Sequence, residues 1–304
     1  SRDGAILMDA LSERQWLLFL SLLPDVGRKT LRHVLERQQV RRETPCEVLR
    51  LSCEALAEAY QLPARAVQAI GEARAEHLER VQRLEAHLTR CGVRWLSFQD
   101  AAYPRALDEM PEPPAVLFAY GDYALLDAPC FALLASHNVS AQGLSALEQV
   151  AERLMTQGFT PIVSATQPAY QRALLSAVRR RAPYVLALDR GLLRAFGEDL
   201  RQEPLKQARI WQAEFDPQRA LALSPFRPRD GWVAANGKYR DALIGYLASA
   251  VIVIEARPDG YIVQLCRELL QHGRRVYVLT QRVAQLAGNR QILEAGATPF
   301  GEAT

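Results

Sequence analysis

The sequence predicts an α/β protein: a doubly wound parallel sheet preceded by a small all-helical domain. Three observations carry that prediction. Apolar runs alternate with amphipathic stretches from about residue 115 onward, residues 11–92 show helical periodicity alone, and a proline-bearing stretch separates the two textures. With 304 residues, 49% hydrophobic and 23% charged, the chain is long enough for two domains with their own cores, expected at 1–95 and 96–304.

The elements follow in order. "LSERQWLLFLSLL" (11–23) carries an apolar stripe and stops at Pro24. "LLPDVGRKTLRHVLERQ" (22–38) then supplies a turn and a second helix with Leu31, Val34 and Leu35 on one face. Its Pro-x-Val-Gly-x-x-x-Leu pattern is that of a helix-hairpin-helix turn in a SAM-like bundle. Gly27 is expected at the bend, with a positive φ or a crowded Cα, and its amides either face a DNA phosphate or serve packing alone. "SCEALAEAYQLPARAVQAIGEAR" (52–74) gives two short helices, Pro63 starting the second, and a long helix through His77 and His87 ends at Gly92. Pro104, Pro111, Pro113 and Pro114 mark an extended connector.

Strands are expected at "AVLFAY" (115–120), "CFALLAS" (130–136), "TPIVSA" (160–165), "YVLALD" (184–189), "AVIVIEA" (250–256), "RVYVLT" (275–280) and "ATPF" (297–300). Between them "GLSALEQVAERLMTQG", "AYQRALLSAVRRR", "GYIVQLCRELLQHG" and "NRQILEAG" read as helices. Sheets of this kind bind ligands at the carboxyl ends of their strands. The turn in "LLASHNVSAQG" (133–143) lies at such an end, and a strand-turn-helix aims backbone N–H groups at an anion. Ala135 replaces the usual glycine and the turn holds no Arg or Lys.

Several function classes drop out. The longest uncharged apolar runs, such as "LASAVIVI", are too short to span a bilayer, and no secretory segment is recognised, so no membrane association and a cytoplasmic location are expected. The five cysteines form no CxxC pair, which argues against zinc and against a disulfide framework. GxSxG, Walker, HExxH and GxGxxG patterns are missing, so neither catalysis nor a cofactor is expected. The net charge is only +3, yet residues 172–240 hold fourteen Lys or Arg against seven Asp or Glu, including Arg179-Arg180-Arg181. Such a stretch is either a solvated face or a phosphate-binding one. Within it Trp211, Phe215, Phe226 and Trp232 interleave with Arg209, Arg219, Arg227, Arg229, Lys238 and Arg240, a composition that suits base stacking or an irregular core.

Taken in order, these landmarks resemble the DprA/Smf family of DNA-processing proteins. "YPRALDEMPEPPAVLFAYGDYALL" (103–126) is similar to the family's lead-in, "ASHNVSAQG" stands where it has Gly-Ser-Arg then Ser-x-x-Gly, and "GFTPIVSA" looks like its Gly-x-x-x-Val-Ser-Gly strand. "KYRDALIGYLASAVIVIEA", "GYIVQLCRELLQHGRRVYVL" and "GNRQILEAGA" are similar to its later segments. The resemblance implies a Rossmann-like domain without the winged helix that follows it in some members. It also implies single-stranded DNA binding, homodimers, contact with a RecA-type recombinase in transformation and recombination, and no turnover. DNA contacts are expected at Arg227, Arg229, Lys238, Arg240, Ser136, His137, Arg172 and Arg179.

The departures open other readings. Gly-Ser-Arg is Ala135-Ser136-His137 here, the Gly-rich loop after Ser164 is shortened to "SATQPAYQR", Arg-Asn-Arg is Arg240-Asp241-Ala242, and Tyr261 replaces the serine after Gly260. A turn without glycines and arginine retains its anion site poorly or not at all. The chain is then either a DNA binder or a protein-interaction subunit that has lost DNA. In a third reading Glu255 and Arg240 act on an N-glycosidic bond. Against that, Glu255 ends a buried strand and is expected to cap backbone N–H groups or to pair with Arg240 or Arg257.

Overall fold

The computed structural model describes residues 11–73, 75–205, 214–280 and 286–301. The chain divides into two compact units, Ser1–Tyr103 with Glu112–Phe118, and Pro104–Pro111 with Ala119–Thr304.

The first unit is built from α1 (Glu13–Leu22), α2 (Arg28–Arg41), α3 (Pro45–Arg50), α4 (Cys53–Tyr60), α5 (Ala64–Glu72) and α6 (Ala75–Arg90), followed by β1 (Val93–Ser97). Ser12 and Gln15 close a capping box on α1, and Thr44 and Glu47 close another on α3, so both starts are fixed by local side chains. Trp16, Phe19, Val34, Tyr60, Leu78, Val81 and Leu88 meet in the core, where Trp16 Nε1 donates to Gln38 Oε1 at 2.8 Å. The expectation for Gly27 is overturned. It has φ −81° and ψ 179°, and a Cβ there would meet nothing within 4 Å. Gly27 is simply the N-cap of α2, and the left-handed residue of the turn is Asp25 at φ 60°.

The second unit is α/β. After β2 (Val116–Gly121), which runs from the first unit into the second, come β3 (Cys130–Ala135), α7 (Ala141–Thr156), β4 (Thr160–Val163), α8 (Pro168–Arg179) and β5 (Tyr184–Ala187). Then follow α9 (Leu192–Phe196), β6 (Ala220–Ser224), α10 (Ala234–Leu247), β7 (Ala250–Glu255), α11 (Tyr261–Gln271), β8 (Arg275–Leu279), α12 (Ala287–Glu294) and β9 (Thr298–Phe300). The strands lie in the order β6-β5-β4-β3-β7-β8-β9, each pair parallel. From β3 the chain winds outward through β4 and β5 to β6, and from β7 it winds the other way through β8 to β9. Right-handed crossovers then place α7 and α8 on one face and α11 and α12 on the other. The β-branched run Val251–Ile254 is buried because helices cover both faces.

All seven expected strands form, and the structure adds β1 and β6. The connector also holds a short 3-10 turn, Arg105–Glu109, which is less extended than its prolines suggest. Arg274 fixes this turn, with Nε paired to Glu109 at 3.1 Å and Nη2 donating to the Ala106 carbonyl at 2.7 Å.

Candidate functional site

The direction of winding reverses between β3 and β7, and there the loops that leave adjacent strands diverge. A cleft of about 480 Å³ opens at that point, over the carboxyl ends of the strands. Its walls come from the turn after β3 (Ala135–His137), the loop after β4 (Thr166, Gln167), Asp189 and Arg190 after β5, and Arg257 and Gly260 after β7. The first turn of α10, with Trp232 just before it, closes one side.

The turn after β3 answers its own question. A register shift between Leu134, paired with Val253, and Ala135, paired with Glu255, leaves Ile254 as an extra residue in β7 just before the turn. Ser136 N–H then donates to the Glu255 carbonyl at 2.8 Å, and Arg257 N–H donates to Ser136 Oγ at 2.6 Å, tying the turn to the end of β7. Ser140 is the N-cap of α7, its Oγ accepting from Gly143 N–H at 2.9 Å. The Glu255 carboxylate accepts from Ser140 N–H at 3.0 Å and from the Ser140 hydroxyl. This is a capping box whose acid arrives from another strand instead of from the third helical residue. A Cβ on Gly143 would lie 2.3 Å from Glu255 Oε1, so the glycine makes room for the carboxylate. The negative group at the start of α7 is therefore the protein's own, as the capping expectation for Glu255 had it.

Arg240 forms the cleft floor. It is 1% exposed. Its Nε donates to Asp241 Oδ1 at 3.1 Å, its Nη1 donates to Thr166 Oγ1 at 2.7 Å and Ser164 Oγ at 3.2 Å, and Asp189 pairs with it at 3.6 Å. The guanidinium also sits 5.0 Å from the Tyr170 ring centre, and Tyr170 donates its hydroxyl to Asp241 Oδ1 at 2.8 Å. Burial lifts the Asp241 carboxyl above its ordinary range against the pull of Arg240. Ion pairs that compensate one another this way leave little charge for a ligand. Lys238 and Arg257 differ. Both line the cleft, and neither has a carboxylate within ion-pair distance among the described residues. Lys238 Nζ lies 5.6 Å from the centre of the Tyr261 ring, whose hydroxyl donates to the Lys238 carbonyl at 2.9 Å.

Four of the eight residues nominated from the sequence, Ser136, His137, Lys238 and Arg240, line this cleft. Arg172 and Arg179 instead pair with Glu148 of α7, at 3.0 and 3.5 Å. Arg227 pairs with Asp230 at 3.1 Å, and Arg229 grips Glu198 through Nε and Nη2 at 2.8 and 3.0 Å, a contact that raises its pKa. The aromatic reading divides in the same way. Phe215, half-buried, packs against Tyr120, Phe196 and Tyr184, and Phe226 is buried beside Tyr239, so both rings are engaged in packing; Trp232 is 54% exposed at the cleft. Trp211 and Arg209 lie outside the described residues. Sequence reasoning missed Arg190, Asp189, Asp241, Gln167 and Tyr170 as lining residues and gave Arg257 only a pairing role. Gln167 has φ 75° and ψ 135°, a glycine-like backbone kept at a position without glycine. Among the described residues no cluster of side chains is arranged to hold a metal, and no helix is long and apolar enough to cross a membrane.

Residues 94–304 match the family model of DNA recombination-mediator protein A. DNA processing protein DprA of Streptococcus pneumoniae is 25% identical over 198 residues, covering 64% of this chain and 66% of that protein, just under two thirds of its length. The solved structure of DprA from S. pneumoniae superposes with a TM-score of 0.67 at 21% identity, covering 94% of this chain and 93% of that one. DNA processing protein A of Helicobacter pylori, whose structure concerns its single-stranded DNA binding mode, gives 0.54 at 19% identity, covering 69% of this chain and 92% of that one. At these identities the two structures are likenesses of fold, and the family model is what assigns the chain. Since the match spans more than half of its residues, the protein belongs to the DNA recombination-mediator protein A family.

Proposed function

We propose that this protein binds single-stranded DNA in the cleft between the ends of β3 and β7, as a DprA-type DNA-processing protein, without turning it over. The observation that carries the reading is the cleft itself: Lys238 and Arg257, with no carboxylate of the described residues in ion-pair distance, and Trp232 exposed at its edge. Cations track a phosphate backbone while an aromatic face stacks a base, at about 1–3 kcal/mol per stacked base. The single-stranded DNA binding of the H. pylori relative supports the same ligand. Delivery to a RecA-type recombinase, homodimer formation, a cytoplasmic setting and a division of labour between residues 1–95 and 96–304 go with this proposal on the family resemblance. Absence of turnover is supported by Glu255, whose carboxylate is engaged at the start of α7. A second reading, an interaction subunit that has lost DNA, is favoured by that same carboxylate standing where a phosphate would bind.

Titration with a fluorescent single-stranded oligonucleotide at two salt concentrations separates them. Saturable binding that weakens steeply with salt is the expected result. Salt-independent or absent binding would favour the interaction subunit. Release of free base from a nucleotide panel, abolished in Glu255→Gln, would overturn the no-turnover reading.

A further inference from the structure

We propose that Asp241 makes the cleft select nucleobases that carry an exocyclic amino group (cytosine, adenine, guanine) over thymine. This rests on single-stranded DNA occupying the cleft. Asp241 lines that cleft from α10, with 17% of its side chain exposed. Both described donors that reach it, Tyr170 Oη and Arg240 Nε, go to Oδ1. Among the described residues no donor reaches Oδ2, so an acceptor oxygen is left at the edge of a largely buried ion-pair network. A carboxylate in that position gains most from a ligand N–H group and repels a ligand carbonyl.

Cytosine and thymine present opposite groups at ring position 4, an amine in one and a carbonyl in the other. Thymine's remaining donor, N3–H, is flanked by two carbonyls, which a carboxylate approaches unfavourably. Stacking on Trp232 is blind to this difference because every base has a π face. The discrimination therefore falls to the Asp241 acceptor in the same cleft. The neighbouring groups do not offer the same service, because Arg240 and Arg190 already hold Asp189 and Gln167 Oε1 already accepts from His137 Nδ1 at 2.6 Å.

The test compares two labelled oligomers of about 12 nucleotides, within the roughly 4–16 nucleotide footprints of single-strand binders. One is all thymidine and the other all 5-methyldeoxycytidine, so that the methyl group and ring size are shared and only the hydrogen-bonding edge changes. Slightly alkaline buffer keeps the cytosine strand unpaired. The wild-type protein is expected to bind the 5-methylcytosine oligomer about tenfold more tightly, the size of one hydrogen bond to a charged acceptor. In Asp241→Asn the amide retains an acceptor for Tyr170 and Arg240 and can turn its NH2 toward thymine O4, so the ratio should fall below about twofold on the same scale. Equal wild-type affinities would overturn the selectivity, as would a preference that survives in Asp241→Asn. If the variant folds poorly by thermal melting, the wild-type pair decides alone. Binding of neither oligomer would instead overturn the single-stranded DNA reading on which the selectivity depends.

Discussion

Two helices follow the central strands β3 and β7, and they begin differently. At the start of α7, Ser140 and Glu255 satisfy the exposed amides and place a carboxylate against the positive end of the helix. At the start of α11, Gly260 supplies no side-chain cap, the first turn carries no acid, and the neighbouring Asp259 accepts from Gln291 at 2.9 Å. Arg257 and Lys238 line the cleft together with that second start. The same local device, a strand running through a turn into a helix, is thus closed from within after β3 and left open, beside the cationic cleft, after β7. A strand-turn-helix shows where an anion fits; only the three-dimensional neighbours show whether the protein has already supplied it.

The closed start can be broken in two ways that should compensate each other. Gly143→Ala drives a methyl group into Glu255 and should cost about 1–3 kcal/mol, as overpacking does. Glu255→Ala removes the acid of the capping box and should cost about 1–2 kcal/mol. In the double variant the new methyl enters the space the carboxylate has left, so the two losses should fall short of additive by about 1 kcal/mol. Urea unfolding of the four proteins measures this, and strict additivity would show that Glu255 does not occupy the start of α7. A smaller effect is expected at a third helix start. Gly27 caps α2 without a side chain and has open space around it, so Gly27→Ser should add a capping hydroxyl and stabilise by about 0.3 kcal/mol. A loss of stability there would restore the crowded bend that the helix-hairpin-helix pattern suggests.

The parts of the fold that were legible in sequence are those whose periodicity is set by burial. The run "AVIVIEA" reads as a strand because both of its faces are covered, and α11 reads as a helix because one stripe faces the sheet. Strand β6 escaped because "ALALS" is five residues of small and apolar side chains followed at once by the Pro and Arg residues of 225–229. Helix α10 escaped for a different reason. It buries Asn236 and Arg240 along with Leu243, Ile244 and Tyr246, so polar residues interrupt the apolar stripe that a periodic reading needs. Four of the six nominated arginines and lysines lay elsewhere, because charge density along a chain says nothing about partners far away in sequence. Glu148 holds Arg172 and Arg179, and Glu198 holds Arg229, across gaps of 24 to 31 residues. Arg257 was within reach of sequence reasoning, standing two residues beyond the end of a buried strand where ligands approach.

The contrast between compensated and uncompensated cations is tested most directly by the salt dependence of single-stranded DNA binding in two double variants. Each phosphate contact contributes about 0.7 to the slope of log affinity against log salt for single strands. Lys238→Glu with Arg257→Glu should weaken binding at least about tenfold and flatten that slope by about 1.4, the loss of two contacts. Arg172→Glu with Arg179→Glu, which removes the partners of Glu148, should leave the slope of the wild-type protein in place. A slope flattened by the α8 pair and untouched by the cleft pair would contradict the assignment of the cleft as the DNA site.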